Sequence, residues 1–234
     1  MMRTEEVDEI FEVVKSESRD FLFEHEAKKL CNLYGMPVTQ IHVSTSEDEA
    51  LEAAEDIGYP VVLKIVSPQV LHKSDAGGVI LGIDNETELR EGYKSILDNV
   101  KKNVPDAEIT GILVQEMAPE STEIIVGSTT DPTFGPTIMF GIGGIFVEIL
   151  KDVSFRLAPI EPHDAKEMIK EIRAYEILEG ARGNPKADLD AISDILLSTS
   201  EMIMDRPEIK ELDLNPVLVY EDGAKIVDAR VILK

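Results

Sequence analysis

The stretch V-V-L-K-I-V-S-P-Q-V-L-H-K-S-D-A-G-G-V, residues 61–79, is a β-branched run with one lysine, followed by a loop that carries a histidine and closes on paired glycines. Val61, Leu63 and Ile65 alternate with Val62, Lys64 and Val66, so the spacing predicts a strand with Lys64 as a charge among apolar neighbours. A charge so placed is costly unless an anion meets it. Pro68 lacks the N–H that a ladder needs and ends the strand, while Gly77 and Gly78 supply backbone freedom and two amides. Between them stands His72, flanked by Lys73, Ser74 and Asp75. Lys64 and the glycines read as a phosphate cradle, and His72 as a nucleophile that carries a phosphoryl group. A strand lysine can equally snorkel to a sheet edge, and a loop histidine is commonly a solvated polar group. The pair therefore gains weight only from the rest of the chain.

A chain of 234 residues with 43% hydrophobic content can bury a core as one large domain or two small lobes. Its formal net charge of −23 argues against binding nucleic acid or an anionic membrane through the general surface. Phosphate binding then needs a local basic pocket. The single cysteine, Cys31, excludes an intramolecular disulfide and reads as a small buried apolar group. No apolar run approaches the roughly 18 residues of a membrane span, and the acidic N-terminus lacks the pattern of a signal peptide. A cytoplasmic location is expected.

Outward from the lysine strand, the patterns predict an α/β (α+β) chain. Residues 1–20 read as an acidic leading helix that packs loosely or on a partner. Residues 21–116 read as a first lobe holding the histidine loop. Its signals are a helix around residues 23–34, a strand at 38–43, a helix opened by Ser46 and Glu49, the Lys64 strand, a strand at 79–83, a helix capped by Asn85, and a strand at 112–115. Residues 117–234 read as a second lobe. Short strands are expected at 122–128, 136–140, 146–150 and 153–157, then helices at 164–177 and 188–204, and a closing hairpin of 209–220 with 225–233.

If Asp222 and Gly223 form a two-residue turn, Asn215 faces Arg230, and Asp213, Asn215 and Asp228 project from one face. Two carboxylates and an amide oxygen suit Mg2+, which takes few protein ligands and leaves positions for phosphate oxygens. A second glycine-rich turn, Gly141-Ile142-Gly143-Gly144, is followed by Glu148 and Arg156. It can bring amides and a bidentate guanidinium to a phosphate, or simply be a tight hairpin.

Taken together, V-L-K-I-V-S-P-Q-V-L-H-K-S-D-A-G-G-V, the strand end V-Q-E-M, the block G-I-G-G-I-F-V-E-I-L-K-D-V-S-F-R-L-A-P and the ending E-L-D-L-N-P-V-L-V resemble the ATP-grasp beta subunit of ADP-forming acetyl-CoA synthetases. The likeness runs from about residue 21 to residue 234. It implies an ATP-grasp fold, two α/β lobes clasping a nucleotide, and reversible conversion of acyl-CoA, ADP and phosphate to acid, CoA and ATP. At matching positions it implies that Lys64 binds phosphate and that Glu116, Met117 and Ala118 form the purine-binding hinge. Glu123 becomes a nucleotide-site carboxylate, and Asp213, Asn215 and Asp228 become magnesium ligands. His72 becomes the loop histidine that takes a phosphoryl group from a histidine of the partner and delivers it to ADP, with Gly77 and Gly78 as the loop's hinge. Neutral imidazole suits the task because it is nucleophilic near neutral pH. The resemblance also implies an alpha subunit carrying the CoA-binding and CoA-ligase domains in an α2β2 assembly. The alternatives are an ATP-grasp carboxylate ligase that makes an acyl phosphate, and a nucleotide-sensing module without catalysis.

Overall fold

The computed structural model describes residues 2–70, 72–144, 147, 149–180 and 185–234. It divides into two units, Thr39–Pro119 and a second made of Met1–Val38 with Glu120–Lys234.

The Thr39–Pro119 unit is a four-stranded antiparallel sheet with two helices on one face. Its elements are β2 (Ile41–Ser44), α3 (Glu47–Ile57), β3 (Val61–Val66), β4 (Val79–Ile83), α4 (Glu86–Asn103) and β5 (Gly111–Glu116), with strand order β2-β5-β3-β4. Both helices begin on the predicted caps. The Ser46 hydroxyl accepts from the Glu49 amide at 3.3 Å, and the Asn85 side chain accepts from the Glu88 amide at 3.1 Å. Glu49 reaches back to the Thr45 amide at 2.7 Å, so the helix entrance satisfies donors in both directions. Leu63 and Ile65 pack with Ala50 and Ala54 of α3 and Leu89 and Ile96 of α4. Val62 and Lys64 alternate onto the other face.

The second unit carries a seven-stranded antiparallel sheet. Its strands are β1 (Phe21–Leu22), β6 (Thr122–Asp131), β7 (Gly135–Ile142), β8 (Val153–Leu157), β9 (Ile209–Val219), β10 (Ala224–Ile226) and β11 (Ala229–Leu233). The order is β1-β11-β9-β6-β7-β8, with β10 paired to β9. The unit's helices are α1 (Met2–Ser16), α2 (Glu24–Leu33), α5 (Pro162–Glu171), α6 (Tyr175–Leu178) and α7 (Leu189–Asp205).

Residues 21–38, expected in the first lobe, belong with the C-terminal part instead. Phe21 and Leu22 pair with Ile232 and Val231, and Ala27, Leu30 and Cys31 join the core under β9 and β11. Arg19 braces that junction. It holds the Glu26 carboxylate through two bonds of 2.8 and 2.7 Å and lies 4.3 Å from the centre of the Phe23 ring. The leading helix is also integral rather than loosely packed, since Val7 and Val14 are buried in the same core.

Three further expectations change. The helix predicted at 164–177 breaks because Asp152 accepts the Arg173 and Ala174 amides, both at 2.8 Å, which ends α5 and starts α6. The last strand divides into β10 and β11. Of the strand predicted at 146–150, residues 146 and 148 (Glu148) lie outside those described, and 147, 149 and 150 are not in a strand, so that expectation fails where it can be read. No helix among the described residues is long and apolar enough to cross a membrane.

Candidate functional site

Lys64 is 6% exposed on β3, opposite Leu113 of β5 and Val79 of β4. Its neighbour Val62 faces Gln115, which is 1% exposed, so the polar members of this face are a lysine and an amide among valine and leucine. An ammonium so desolvated is suited to an anion and costly without acceptors. The same strand pair ends at Glu116, whose carboxylate accepts from the Gln40 amide at 3.1 Å. The Met117 amide donates to the Pro60 carbonyl at 3.3 Å. That leaves the exposed Met117 side chain and the Ala118 position at the strand's exit.

His72 is exposed and opens a single hydrogen-bonded turn. The Ala76 amide donates to the His72 carbonyl at 3.3 Å, the Gly77 amide to the Ser74 carbonyl at 3.0 Å and the Gly78 amide to the Lys73 carbonyl at 2.8 Å. This bonding, with Gly77 at φ +67°, is the Schellman closure of a helical turn. It corrects the expected role of Gly77 and Gly78, whose amides serve the turn rather than standing ready for a phosphate. Gly78 is a fixed point rather than a hinge. Its carbonyl accepts from the Ile65 amide at 2.7 Å, and a Cβ on it would lie 2.4 Å from Ile65 Cγ2.

On the seven-stranded sheet, Asp213 and Asn215 alternate with the buried Leu212 and Leu214 and so lie on the face away from the helical core. The closing turn is Glu221-Asp222, with the Tyr220 amide on the Gly223 carbonyl at 3.0 Å, so the hairpin is two residues out of the expected register. The cause is Gly223, which takes a left-handed backbone at φ +90° after the turn rather than within it. An offset of two preserves the face. Asp213 therefore stands opposite Arg230, and the Asn215 amide donates to the Asp228 carbonyl at 3.2 Å. Burial pushes the Asp213 carboxyl up, the Arg230 guanidinium opposes this, and the Asp228 charge adds to the rise.

Among the described residues no three His, Cys, Asp or Glu side chains are gathered to hold a metal. The set here is two carboxylates and an amide oxygen, a donor chemistry that fits magnesium with most of its positions left to phosphate and water. Beside it Asp213, Arg230, Gly127, Met139 and Phe155 line a cavity of about 340 Å³. Glu123, exposed on β6 opposite Leu218, lies on this face two strand repeats from Gly127.

Arg156 is not there. Its β8 neighbour Phe155 lines the cavity, so Arg156 points to the opposite face, where Glu171 of α5 holds its guanidinium through bonds of 2.8 and 2.5 Å. Alternation along one strand decides the matter. In the second glycine-rich turn the Gly143 amide likewise donates to the Glu123 carbonyl at 2.8 Å. The residues that sequence reading missed are Arg230 and Gly127. Arg230 was placed opposite Asn215 by the wrong register, and Gly127 sits in an ordinary strand pattern.

The chain matches the ATP-grasp domain family over residues 13–233. It belongs to the ATP-grasp family. This ATP-grasp chain is 52% identical over 233 residues to the beta subunit of acetate–CoA ligase (ADP-forming) I of Pyrococcus furiosus, with each chain covered in full. Acetate–CoA ligase (ADP-forming) I of Archaeoglobus fulgidus is 51% identical over 208 residues, which are 89% of this chain and 30% of that one. Ca. Korarchaeum cryptofilum acetyl-coenzyme A synthetase 1 has been solved with coenzyme A, acetyl-coenzyme A and a phosphorylated phosphohistidine segment in a site I orientation. That structure matches at a TM-score of 0.92 and 50% identity, over 97% of this chain and 100% of that one. A structure of the same enzyme with coenzyme A and Mg-AMPPCP has the segment pointing towards the nucleotide-binding site. Its TM-score is 0.87 at 46% identity, with the same coverage of 97% and 100%. The ATP-grasp fold read from the sequence is thereby shown.

Proposed function

We propose that the chain is the nucleotide-binding beta subunit of an ADP-forming acyl-CoA synthetase, acting in the cytoplasm with an alpha chain that supplies the CoA chemistry. Full-length identity to the Pyrococcus beta subunit supports the activity class, and the longer Archaeoglobus chain supports a partner carrying the remainder. An α2β2 assembly is the proposed stoichiometry. The observation in this molecule that carries the reading is His72, exposed at the start of a turn whose far end is fixed to β3.

In the direction of ATP synthesis the neutral imidazole attacks phosphorus of a phosphoryl donor presented by the partner. An N–P bond forms as the donor's bond to phosphorus breaks. A terminal oxygen of ADP then attacks the same phosphorus, the N–P bond breaks, and His72 returns to neutral imidazole. The Korarchaeum enzyme's two segment orientations support a change of orientation between these steps. In this reading Lys64 would offset the phosphate charge, the Glu116–Ala118 strand end would take the purine, and Glu123 would serve as a nucleotide-site carboxylate. Asp213, Asn215 and Asp228 would hold magnesium, which when bound would neutralise the polyphosphate charge. Arg156 has no part in this proposal.

The test is to incubate the assembled enzyme with ATP labelled at the terminal phosphate and map the label. Acid-labile phosphate on His72, absent from His72→Ala, is expected. A native enzyme that turns over without such a label would instead be a carboxylate ligase working through an acyl phosphate.

A further inference from the structure

Asn99 and Asn103 lie one turn apart on α4 and therefore face the same way. Their side-chain amides donate to two successive carbonyls at the end of the His72 turn. Asn103 Nδ2 reaches the Ala76 carbonyl at 3.1 Å, and Asn99 Nδ2 reaches the Gly77 carbonyl at 3.3 Å. Carbonyls at the C-terminal end of a helical turn have no partner within it, and something else must satisfy them. The contact is close-fitting as well, since a Cβ on Gly77 would lie 3.0 Å from Asn99 Cβ. Ala76 is buried against the same unit's core, whereas His72, Ser74 and Asp75 are exposed. The turn thus has an exposed start bearing His72 and a foot held by three groups, the Ile65 amide, Asn99 and Asn103.

We propose that Asn99 and Asn103 are positioning residues for His72, a latch on the foot of its turn that limits the orientations the imidazole samples. The inference rests on the reading of His72 as phosphoryl carrier. Neither asparagine touches the reacting atoms. Gly78 is fixed to β3, whereas the two asparagine bonds beside it are neutral and few, so Ala76 and Gly77 are held without being immobilised. A segment that must serve two donors and acceptors needs that compromise. A loose foot spreads the imidazole over unproductive orientations, while a rigid one keeps it from changing over.

The experiment compares the native assembled enzyme with Asn99→Ala/Asn103→Ala, and with Asn103→Gln as the variant that keeps an amide donor. Hydrogen exchange at the Ala76, Gly77 and Gly78 amides should quicken about tenfold in the double variant. The kcat for ATP synthesis should fall about tenfold with KM for ADP unchanged, and Asn103→Gln should recover part of both. Unchanged exchange at those amides, or an unchanged kcat, overturns the latch. A parallel fall in kcat and rise in KM with exchange quickened throughout the unit marks general loosening, and it overturns the latch too. Labelling of native His72 is read separately, so failure of the carrier role and failure of the latch are distinct results.

Discussion

Two tight turns in this molecule, each with a left-handed glycine, are tied down by side chains of a neighbouring helix in opposite ways. At the His72 turn, asparagine amides of α4 donate to carbonyls at distances of 3.1 and 3.3 Å. At the closing hairpin, the Asp188 carboxylate at the start of α7 accepts the Gly223 amide at 2.9 Å while also capping its own helix through Asp190 and Ala191. The first tie is between neutral groups and the second is charge-assisted, which makes it roughly twice as strong. The first turn carries an exposed imidazole proposed to change position. The second anchors the strands that present Asp213, Asn215 and Asp228, the proposed metal ligands. On this reading the weaker tie is at the turn proposed to move.

The largest contrast should come from removing the chemistry on each side. His72→Ala should lower acyl-CoA-dependent ATP synthesis by roughly a thousandfold or more, because the imidazole proposed to form the N–P bond is gone. Magnesium-nucleotide affinity measured by calorimetry should stay within about twofold of native. Residual synthesis near the native rate would remove the relay. Asp213→Asn should do the reverse, weakening the magnesium-dependent part of nucleotide binding by about tenfold to a hundredfold. Titrations with and without magnesium check this, and an unaltered magnesium dependence would displace the metal site from the hairpin.

The two turns should also answer differently to an added methyl group. Gly78→Ala places a Cβ 2.4 Å from Ile65 Cγ2 on a buried strand, an overpacking expected to cost about 1–3 kcal/mol in denaturant unfolding. At Gly223 nothing lies within 4 Å of such a Cβ, so Gly223→Ala meets only the strain of its φ of +90°, about 1 kcal/mol. Equal losses at the two positions would mean that the foot of the His72 turn can shift aside, against its being a fixed point.

These turns also mark where sequence reading stops. Local signals were legible. The caps at Ser46 and Asn85, the strands at 79–83 and 153–157, and the shared face of Asp213, Asn215 and Asp228 all follow from side-chain chemistry and period. What depends on distant pairing was not. Residues 21–38 join the C-terminal unit because Phe21 meets Ile232, more than two hundred positions away. Arg156 looked like a phosphate ligand because its glycine-rich neighbour did, but one step of strand alternation turns it towards Glu171. The hairpin register slipped by two because only the backbone shows that Gly223 follows the turn. Asn99 and Asn103 read as ordinary polar positions on an amphipathic helix, and only the fold brings their amides to the carbonyls of a turn more than twenty residues earlier.

The smallest effect separates the two ties by pH. Three backbone amides, those of Ala191, Gly223 and Asp190, hold the Asp188 carboxyl below the ordinary carboxylate range, against a smaller opposing effect of burial. A carboxyl whose folded value lies below its unfolded value of about 3.9 stabilises the fold fully above that pH. The contribution is lost as pH falls through the folded value. In Asp188→Asn the side-chain oxygen can still cap α7, but an NH2 now faces the Gly223 amide, so the stability loss at pH 7 should be about 1 kcal/mol. Denaturant unfolding followed from pH 7 downward should show this gap begin to close below about pH 3.9, where the unfolded carboxyl takes up its proton, and finish closing as pH falls through the lower folded value. Asn99→Ala/Asn103→Ala should show a gap that does not move over the same range, since amides do not titrate. A pH-independent gap for Asp188→Asn would mean that shape rather than charge holds the closing turn, and the two ties would then be of one kind.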